Sequence, residues 1–356
     1  RIAAYAETMV EYAQRLMESW SAGEERDVHQ EMMRLTLQIV AKTLFNADVA
    51  RDAQDVGKSL ELLLELGADF RRTLFVPHWV PTLTNLRIKR EIAFIESILY
   101  RMINERRASG RDAGDLLSML LHVQDEDGSR MTDKQLRDET ITLFLAGHET
   151  TSSSLSWTWW LLAQNPLVEA RLHSELDEVL GGRTPSMDDL ARLPYTANVI
   201  TESMRLYPPA WGLARIVVEG HELGGYPLKK GMGVAMAQWV VHRDTRWYDR
   251  PEEFRPERWE GDFAKRIPRF AYFPFGGGPR QCIGNSFAVM EAMLILATIA
   301  QKYRLRLVPG HPVVPLASIT LRPRYGVRVV LEERRPQPAE TLAQGSQPAS
   351  QVLNAD

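Results

Sequence analysis

The sequence predicts a mainly α-helical domain with small β-sheets, a fold of the α+β class. Three observations lead to this prediction. Apolar residues recur at three- and four-residue steps through most of residues 1–110, which is the spacing of helices that face a core. One further helical pattern extends to Gln164 over roughly 30 residues, or about 45 Å. Short runs typical of β-strands appear only after residue 210.

Charge and composition limit the class of protein further. The 356 residues carry a formal net charge of −3 and are 44% hydrophobic, which argues for a large core and against nucleic acid as the main partner. A single Cys excludes an intrachain disulfide. No apolar run reaches the length of about 18 residues that a membrane span requires. We therefore expect a soluble, cytoplasmic protein. An N-terminal anchor stays open, because the sequence starts without Met inside a helical pattern.

Helices follow one another through the first 123 residues. Met32 to Phe45 and Ile88 to Arg107 each present an apolar face, and prolines at 77 and 81 interrupt the pattern between them. A short apolar helix over 115–123 ends in a polar turn at 125–128.

The longest helix begins at Thr132, where the sequence Thr-Asp-Lys-Gln fits a capping box. Asn165-Pro166 ends it. In its middle, Gly147 costs up to about 1 kcal/mol of helix propensity, and the hydroxyls of Thr150 and Thr151 can bond to the preceding turn. We therefore expect one loosened turn there.

The second half of the sequence mixes helices with short strands. Helices are predicted over 166–180, in two parts over 186–206, and over 287–303. Strands are predicted over 216–218, 234–241, 305–308, 319–322 and 327–331, with an ordered coil over 243–269. The domain is expected to cover 1–333, and a disordered tail rich in Pro, Gln, Ala and Ser to cover 334–356.

The only cysteine, Cys282, lies in a glycine-rich loop over 273–284 that leads into the apolar helix. Free N–H groups and the positive dipole at a helix start favour a thiolate. Such a Cys is most often inert packing. A nucleophile would need a His partner, and structural zinc would need more ligands than one Cys. The remaining use is as an axial ligand of haem iron.

The loop resembles the haem-ligand loop of the cytochrome P450 family, in its pattern Phe-x-x-Gly-x-Arg-x-Cys-x-Gly. The specified positions are filled by Phe275, Gly278, Arg280, Cys282 and Gly284. The resemblance implies the cytochrome P450 fold, haem b as cofactor and Cys282 as the iron ligand. It runs from residue 1 to about 332, and the family's N-terminal strands and first helices have no counterpart, so the domain is expected to be incomplete at its N-terminus. The cofactor contacts it implies are Cys282, Arg280, Arg215, Phe275, Gly276, Gly278, Gly284 and Ala146.

Two further motifs resemble the same family. The run from Ala146 to Thr151 is similar to the segment over the distal haem face, where it implies Thr150 as the hydroxyl beside the oxygen and Glu149 as the proton source. By itself, this run favours a helix interior that tolerates polar residues, and His148 is assigned a structural role. Glu202, Arg205 and Arg258 resemble the family's buried triad, which serves assembly, although exposed pairs of this kind are common.

Arginine suits the haem propionates because its guanidinium binds carboxylates through two hydrogen bonds. The resemblance implies Arg280 and Arg215 for this role. His242 could reach a propionate or lie on the surface, and Glu291, inside the apolar helix, receives no role.

These motifs together imply a haem-thiolate monooxygenase that inserts one atom of O₂ into a small apolar or amphipathic organic substrate. Its electrons would come from a separate donor protein of ferredoxin, flavodoxin or flavin-reductase type. Substrate contacts are expected from Phe144, Ala146, Ala210, Trp211, Leu213, Ser318 and Ile319. The alternatives are a peroxide-driven enzyme or an isomerase of the same fold, a non-catalytic haem-binding protein, or an inert remnant.

Overall fold

The structure, a computed structural model, describes residues 5–46, 53–67, 79–110, 112–124, 128 and 130–334. Residues 125–127 of the predicted turn at 125–128, residues 76–78 of the predicted break at 76–81, and the tail beyond residue 334 lie outside these ranges. The longer helices are α1 (Ala6–Glu18), α2 (Val28–Phe45), α3 (Ala53–Gly67), α4 (Leu83–Ser109), α5 (Leu116–His122), α6 (Asp133–Gln164), α7 (Pro166–Leu180), α8 (Pro194–Leu206) and α11 (Asn285–Ala300). Short helical turns are α9 (Gln238–Val241) and α10 (Phe263–Arg266), with 3₁₀ turns at Met187–Arg192, Pro256–Trp259 and Gly278–Arg280.

Helix α6 runs through the domain and packs along α2. Its predicted capping box is present: Gln135 N donates to Thr132 Oγ1, and Thr132 N donates to the Gln135 side chain. A Cβ at Gly147 would lie only 3.0 Å from Cγ2 of Val40. Gly147 is therefore where the two helices approach closely, a role that the sequence pattern did not reveal.

The sheets are small and antiparallel. One has the order β1 (Glu25–Asp27), β9 (Arg328–Glu333), β6 (Tyr303–Leu307), with Arg26 opposite Val329 and Leu305 opposite Leu331. The others pair β2 (Leu213–Ile216) with β5 (Gly233–Met236), β3 (His221–Leu223) with β4 (Tyr226–Leu228), and β7 (Pro315–Ala317) with β8 (Leu321–Pro323).

Strand β1 corrects the interpretation of the first 110 residues as almost entirely helical. Its Glu-Arg-Asp sequence has no apolar alternation and is extended because it pairs with β9. The side chain of Asp27 then accepts hydrogen bonds from His29 N, which caps α2, and from Val327 N, both at 3.0 Å.

The strand predicted over 234–241 is also corrected. It ends at Met236, and Gln238–Val241 forms a helical turn in which His242 N donates to Gln238 O at 2.8 Å. Alternation alone could not separate these two parts, because both carry apolar residues.

The core is centred on α11, in which every residue from Met290 to Ala300 is buried. Helices α1, α6 and α8 pack around it. Arg334, predicted to open the tail, instead forms an ion pair with Asp177. No helix within the described ranges is both long and apolar enough to cross a membrane.

Candidate active site

The loop that carries Cys282 is held by its own backbone. Cys282 N donates to Phe275 O at 2.9 Å, and Gly276 N donates to Phe273 O at 2.9 Å. Helix α11 begins at Asn285, three residues after the cysteine, whose side chain is free and exposed. The fold thus presents one thiol at the start of the most buried helix.

Two features explain the glycines of this loop. Gly276 and Gly278 have φ values of +72° and +68°, a region that residues with a Cβ rarely adopt. At Gly277, a Cβ would lie 2.5 Å from Cε1 of Phe270. A Cβ on Gly276 would lie 3.4 Å from Cδ1 of Leu213, which shows that the loop packs on the first residue of β2.

His242 anchors the start of the loop and is not the surface residue that was considered for this position. It is fully buried, and its Nε2 accepts a hydrogen bond from Phe273 N at 3.0 Å. Burial, and after it the charge of Arg205, lowers the pKa of His242 to about 3. The ring is therefore neutral near pH 7, and its burial rules out the surface role.

The middle of α6 exposes two of the predicted site residues. Ala146 is exposed and Thr150 is partly exposed, while His148, Glu149 and Thr151 are buried. Thr150 Oγ1 donates to Ala146 O at 2.8 Å. The helix is continuous from Asp133 to Gln164, so the predicted loosened turn is not observed.

Phe144 lies on a different face of α6. It is 2% exposed, and its ring contacts those of Phe45 and His148 in the seam with α2. Its predicted substrate contact is therefore corrected to a core contact. Burial lowers the pKa of His148 to about 4, and its ring bonds to Phe144 O at 3.1 Å, in keeping with a structural role.

Glu149 is buried against the turn between β7 and β8. Thr320 Oγ1 donates to its Oε1 at 2.5 Å. Burial raises the pKa of Glu149, while the Thr320 hydrogen bond and the charge of Arg322 oppose that rise. Sequence reasoning missed Thr320, because nothing in the local pattern connects residues 171 positions apart.

The predicted substrate contacts after the Pro-Pro turn meet those near the last turn. Leu321 N donates to Pro209 O at 2.9 Å, and Trp211 Nε1 donates to Ser318 O at 2.9 Å. Ala210, Trp211 and Leu213 are partly buried, whereas Ile319 is exposed. The segment over 209–213 is thus hydrogen-bonded to the segment over 318–321. Thr320 in that second segment is in turn hydrogen-bonded to Glu149.

The residues present fit a haem. Such a ring needs a strong axial ligand, small groups beside it and cations for its carboxylates. Cys282 exposes its thiol and Ala146 its methyl group. Arg215 and Arg280 are exposed, and neither guanidinium is paired with a carboxylate in the described part of the chain. The described residues therefore offer a thiol for the iron, an exposed helix face beside the ring and two cations for its carboxylates.

Glu202, Arg205 and Arg258 lie together beneath the coil over 243–269. Arg205 binds both Glu202 oxygens at 2.8 Å, and both side chains are 0% exposed. Arg258 Nε lies 3.4 Å from Glu202 Oε1 and donates from Nη1 to Asp249 O at 2.6 Å. Arg205 also donates to the carbonyls of His242, Pro251 and Glu253. The cluster therefore fixes the coil to α8.

A helix that is buried from Met290 to Ala300 and preceded by an exposed cysteine in a glycine loop is the arrangement expected of a haem-thiolate protein. The family model described as cytochrome P450 matches residues 1–326. Cyclooctatin synthase of Streptomyces melanosporofaciens is 41% identical over 327 residues, which cover 90% of this chain and 71% of the relative. Cyclooctat-9-en-7-ol 5-monooxygenase of the same organism is 40% identical over 314 residues, which cover 87% of this chain and 68% of that relative.

A solved structure agrees with these relatives. The cyanobacterial protein CYP120A1 with bound retinoic acid has a TM-score of 0.85 and 27% identity, covering 94% of this chain and 75% of that one. The chain belongs to the cytochrome P450 family. It is an oxidoreductase of the monooxygenase type, with haem as its cofactor. The predicted fold class is confirmed.

Proposed function

We propose that this monooxygenase inserts one atom of O₂ into an apolar or amphipathic organic molecule by using an acid–alcohol pair on α6. The observation that carries the proposal is the arrangement of two adjacent residues. Glu149 is buried and hydrogen-bonded to Thr320, while the hydroxyl of Thr150 is partly exposed on the side of Ala146. A peroxide-driven enzyme or an isomerase would need no such pair.

The groups near this pair support a carbon-rich substrate. Ala146, Leu213 and Ile319 are apolar, and the indole N–H of Trp211 is already bound to Ser318 O. One relative is named for oxidation of cyclooctat-9-en-7-ol, and the solved relative holds retinoic acid. We assign this chain a substrate of similar character, a largely hydrocarbon molecule with at most one or two polar groups.

The chain's own residues divide the work. Cys282 would hold the haem iron, and Arg215 and Arg280 would bind the propionates. When bound, haem with a thiolate ligand supplies the cleavage of the O–O bond. Glu149 holds a proton in a buried place, and the Thr150 hydroxyl receives it and passes it toward dioxygen. Burial keeps other water from competing for that proton.

Electrons would come from a separate protein of ferredoxin, flavodoxin or flavin-reductase type. Each insertion consumes one O₂, two electrons and two protons, with the second oxygen atom leaving as water. A cytoplasmic location accords with this supply of reductant.

The test uses the haem-loaded chain with a donor protein, ¹⁸O₂ and a panel of cyclic hydrocarbons and alcohols. One ¹⁸O atom should appear in product, and the reduced protein with carbon monoxide should show the Soret shift of a thiolate ligand. Cys282→Ser should abolish that shift, and Cys282→His should keep haem but lose insertion, because neutral imidazole donates less charge. Product from hydrogen peroxide alone, with none from O₂ and donor, would favour the peroxide-driven alternative. A surviving shift in Cys282→Ser would disprove the ligand assignment.

A further inference from the structure

Trp157 is a buried tryptophan of α6, seven residues after Thr150. Seven residues are close to two helical turns, so Trp157 lies on the same face of the helix as Thr150, about 10 Å further along. Exposure falls along this face, since Ala146 is exposed, Thr150 is partly exposed and Trp157 is 0% exposed. The face that is open at Ala146 is therefore covered at Trp157.

The indole N–H of Trp157 attaches strand β8 to α6. Its Nε1 donates to Leu321 O at 2.9 Å, and Leu321 is itself buried. Thr320, the residue before it, is hydrogen-bonded to Glu149 of the same helix. The turn between β7 and β8 and the strand that follows are thus bound to α6 at two positions, 149 and 157. Because a buried carbonyl is costly to leave without a donor, the N–H holds β8 in place.

The ring of Trp157 holds a second segment. It is stacked on the ring of Tyr207, with centroids 4.3 Å apart and an angle of 19° between the planes, and such pairs attract each other beyond the area that they bury. Tyr207 precedes the Pro-Pro turn, where Pro209 O accepts from Leu321 N at 2.9 Å. One side chain is therefore linked to both segments with predicted substrate contacts, since Tyr207 adjoins the first and Leu321 belongs to the second.

We propose that Trp157 is a positioning residue that sets how far the space for substrate extends along α6 from Thr150. Its hydrogen bond and its stacked ring fix the segments over 209–213 and 318–321 relative to the helix. Ile319, at the tip of the second segment, is 62% exposed and offers an apolar contact. A long molecule bound beside Thr150 meets these segments, whereas a short one does not. The inference rests on the proposed function, which places the substrate beside Thr150.

The binding test uses the haem-loaded chain and two azoles whose ring nitrogen binds the haem iron and shifts the Soret band. One is imidazole, and the other is 1-(biphenyl-4-ylmethyl)imidazole, which adds a long apolar arm. Trp157→Phe removes the donor to Leu321 O. The dissociation constant of the long azole should therefore rise roughly fivefold, as for one lost hydrogen bond, while that of imidazole should stay the same.

Trp159→Phe is the matched control. Trp159 lies on the same helix and is 2% exposed, and its Nε1 has no hydrogen-bond partner among the described residues. The same substitution there removes an equal volume and no hydrogen bond, so the affinity for the long azole should be unchanged. Equal losses in the two variants, or equal losses for the two azoles, would show a general loss of packing and overturn the proposal. So would a parent that binds the long azole no more tightly than imidazole.

A second variant separates the hydrogen bond from the volume of the ring. Trp157→benzothienylalanine replaces the indole N–H with sulfur and keeps two fused rings to stack on Tyr207, so it tests the donor even if Trp157→Phe does not fold. It should weaken binding of the long azole as Trp157→Phe does. Parent-like affinity in this variant would show that the N–H positions nothing.

Amide hydrogen exchange gives a readout that needs neither substrate nor azole. Leu321 N is bound to Pro209 O, so a strand that has lost its attachment to Trp157 should exchange this amide roughly fivefold faster. Mass spectrometry of peptides covering 315–323 measures this rate, and Trp159→Phe should leave it unchanged. An unchanged rate in Trp157→Phe contradicts the proposal. If the parent inserts oxygen into no compound, the proposed function fails, while azole affinity and exchange still decide the role of Trp157.

Discussion

The hydroxyl of Thr320 lies 2.5 Å from Oε1 of Glu149, and this hydrogen bond joins the turn between β7 and β8 to the middle of α6. The same turn is tied to the Pro-Pro segment through Leu321 N and Pro209 O. A proposed proton source and the proposed substrate contacts therefore belong to one connected unit. A change at Thr320 is therefore expected to affect the pKa of Glu149 as well as the conformation of the turn between β7 and β8.

Replacing Thr320 should move the pH dependence of the reaction. Burial raises the pKa of Glu149 and the Thr320 hydrogen bond lowers it, so Thr320→Val should raise that pKa further. A proton source must hold its proton, so coupling should fall as pH rises through this pKa, and in Thr320→Val the fall should occur at higher pH. Thr320→Ser keeps the donor and should match the parent. A pH profile that is unchanged in Thr320→Val would show that Glu149 is not the proton source.

Removing the hydroxyl of Thr150 should uncouple the enzyme without unfolding it. Thr150→Ala should still bind haem and consume reductant, but product per electron should fall roughly tenfold or more, with hydrogen peroxide in its place. Thr150→Ser retains the hydroxyl and should lose far less. Thr142→Ala is the matched control, since Thr142 donates to Asp138 O at 2.7 Å on an exposed part of the same helix. Equal coupling in all three variants would show that the Thr150 hydroxyl only bonds to its own helix and does not deliver protons.

Breaking the buried cluster should reduce the amount of folded protein rather than turnover per haem. Glu202→Gln leaves Arg205 and Arg258 without their carboxylate, at a cost of roughly 3–5 kcal/mol in free energy of unfolding. The exposed pair of Glu11 and Arg15 offers a control, because Glu11→Gln should cost about 1 kcal/mol or less. Denaturant unfolding and haem content measure both. A Glu202→Gln protein with the stability of Glu11→Gln would contradict the assembly role.

The close approach of α2 and α6 predicts coupling between two apolar positions. Gly147→Ala gains about 1 kcal/mol of helix propensity, but its Cβ would lie 3.0 Å from Val40 Cγ2, so we expect net destabilisation. Val40→Ala removes that atom, and in its presence Gly147→Ala should become neutral or stabilising. The double-mutant cycle should give a coupling energy of roughly 0.5–3 kcal/mol. Additive effects would show that the helices have room for a methyl group.

The motif around Cys282 could be interpreted from the sequence because its requirements are local. A glycine-rich loop before an apolar helix needs positive φ values at Gly276 and Gly278 and a helix start nearby, and all three are observed. The capping box of α6 and its end at Gln164 were likewise predictable, since neighbouring residues satisfy the backbone groups there. The sequence by itself therefore determined the fold class, the family and the long helices.

Tertiary structure decided which face each residue presents and which distant residue it meets. Phe144 is apolar and near the motif, yet it packs against Phe45 of α2, on the seam where Gly147 lets α6 approach Val40. His242 and Thr320 carry no local signal, and their roles come from Phe273 and Glu149, residues 31 and 171 positions away. Hydrogen bonds between distant segments depend on how the helices pack, and periodicity along the chain does not contain that information.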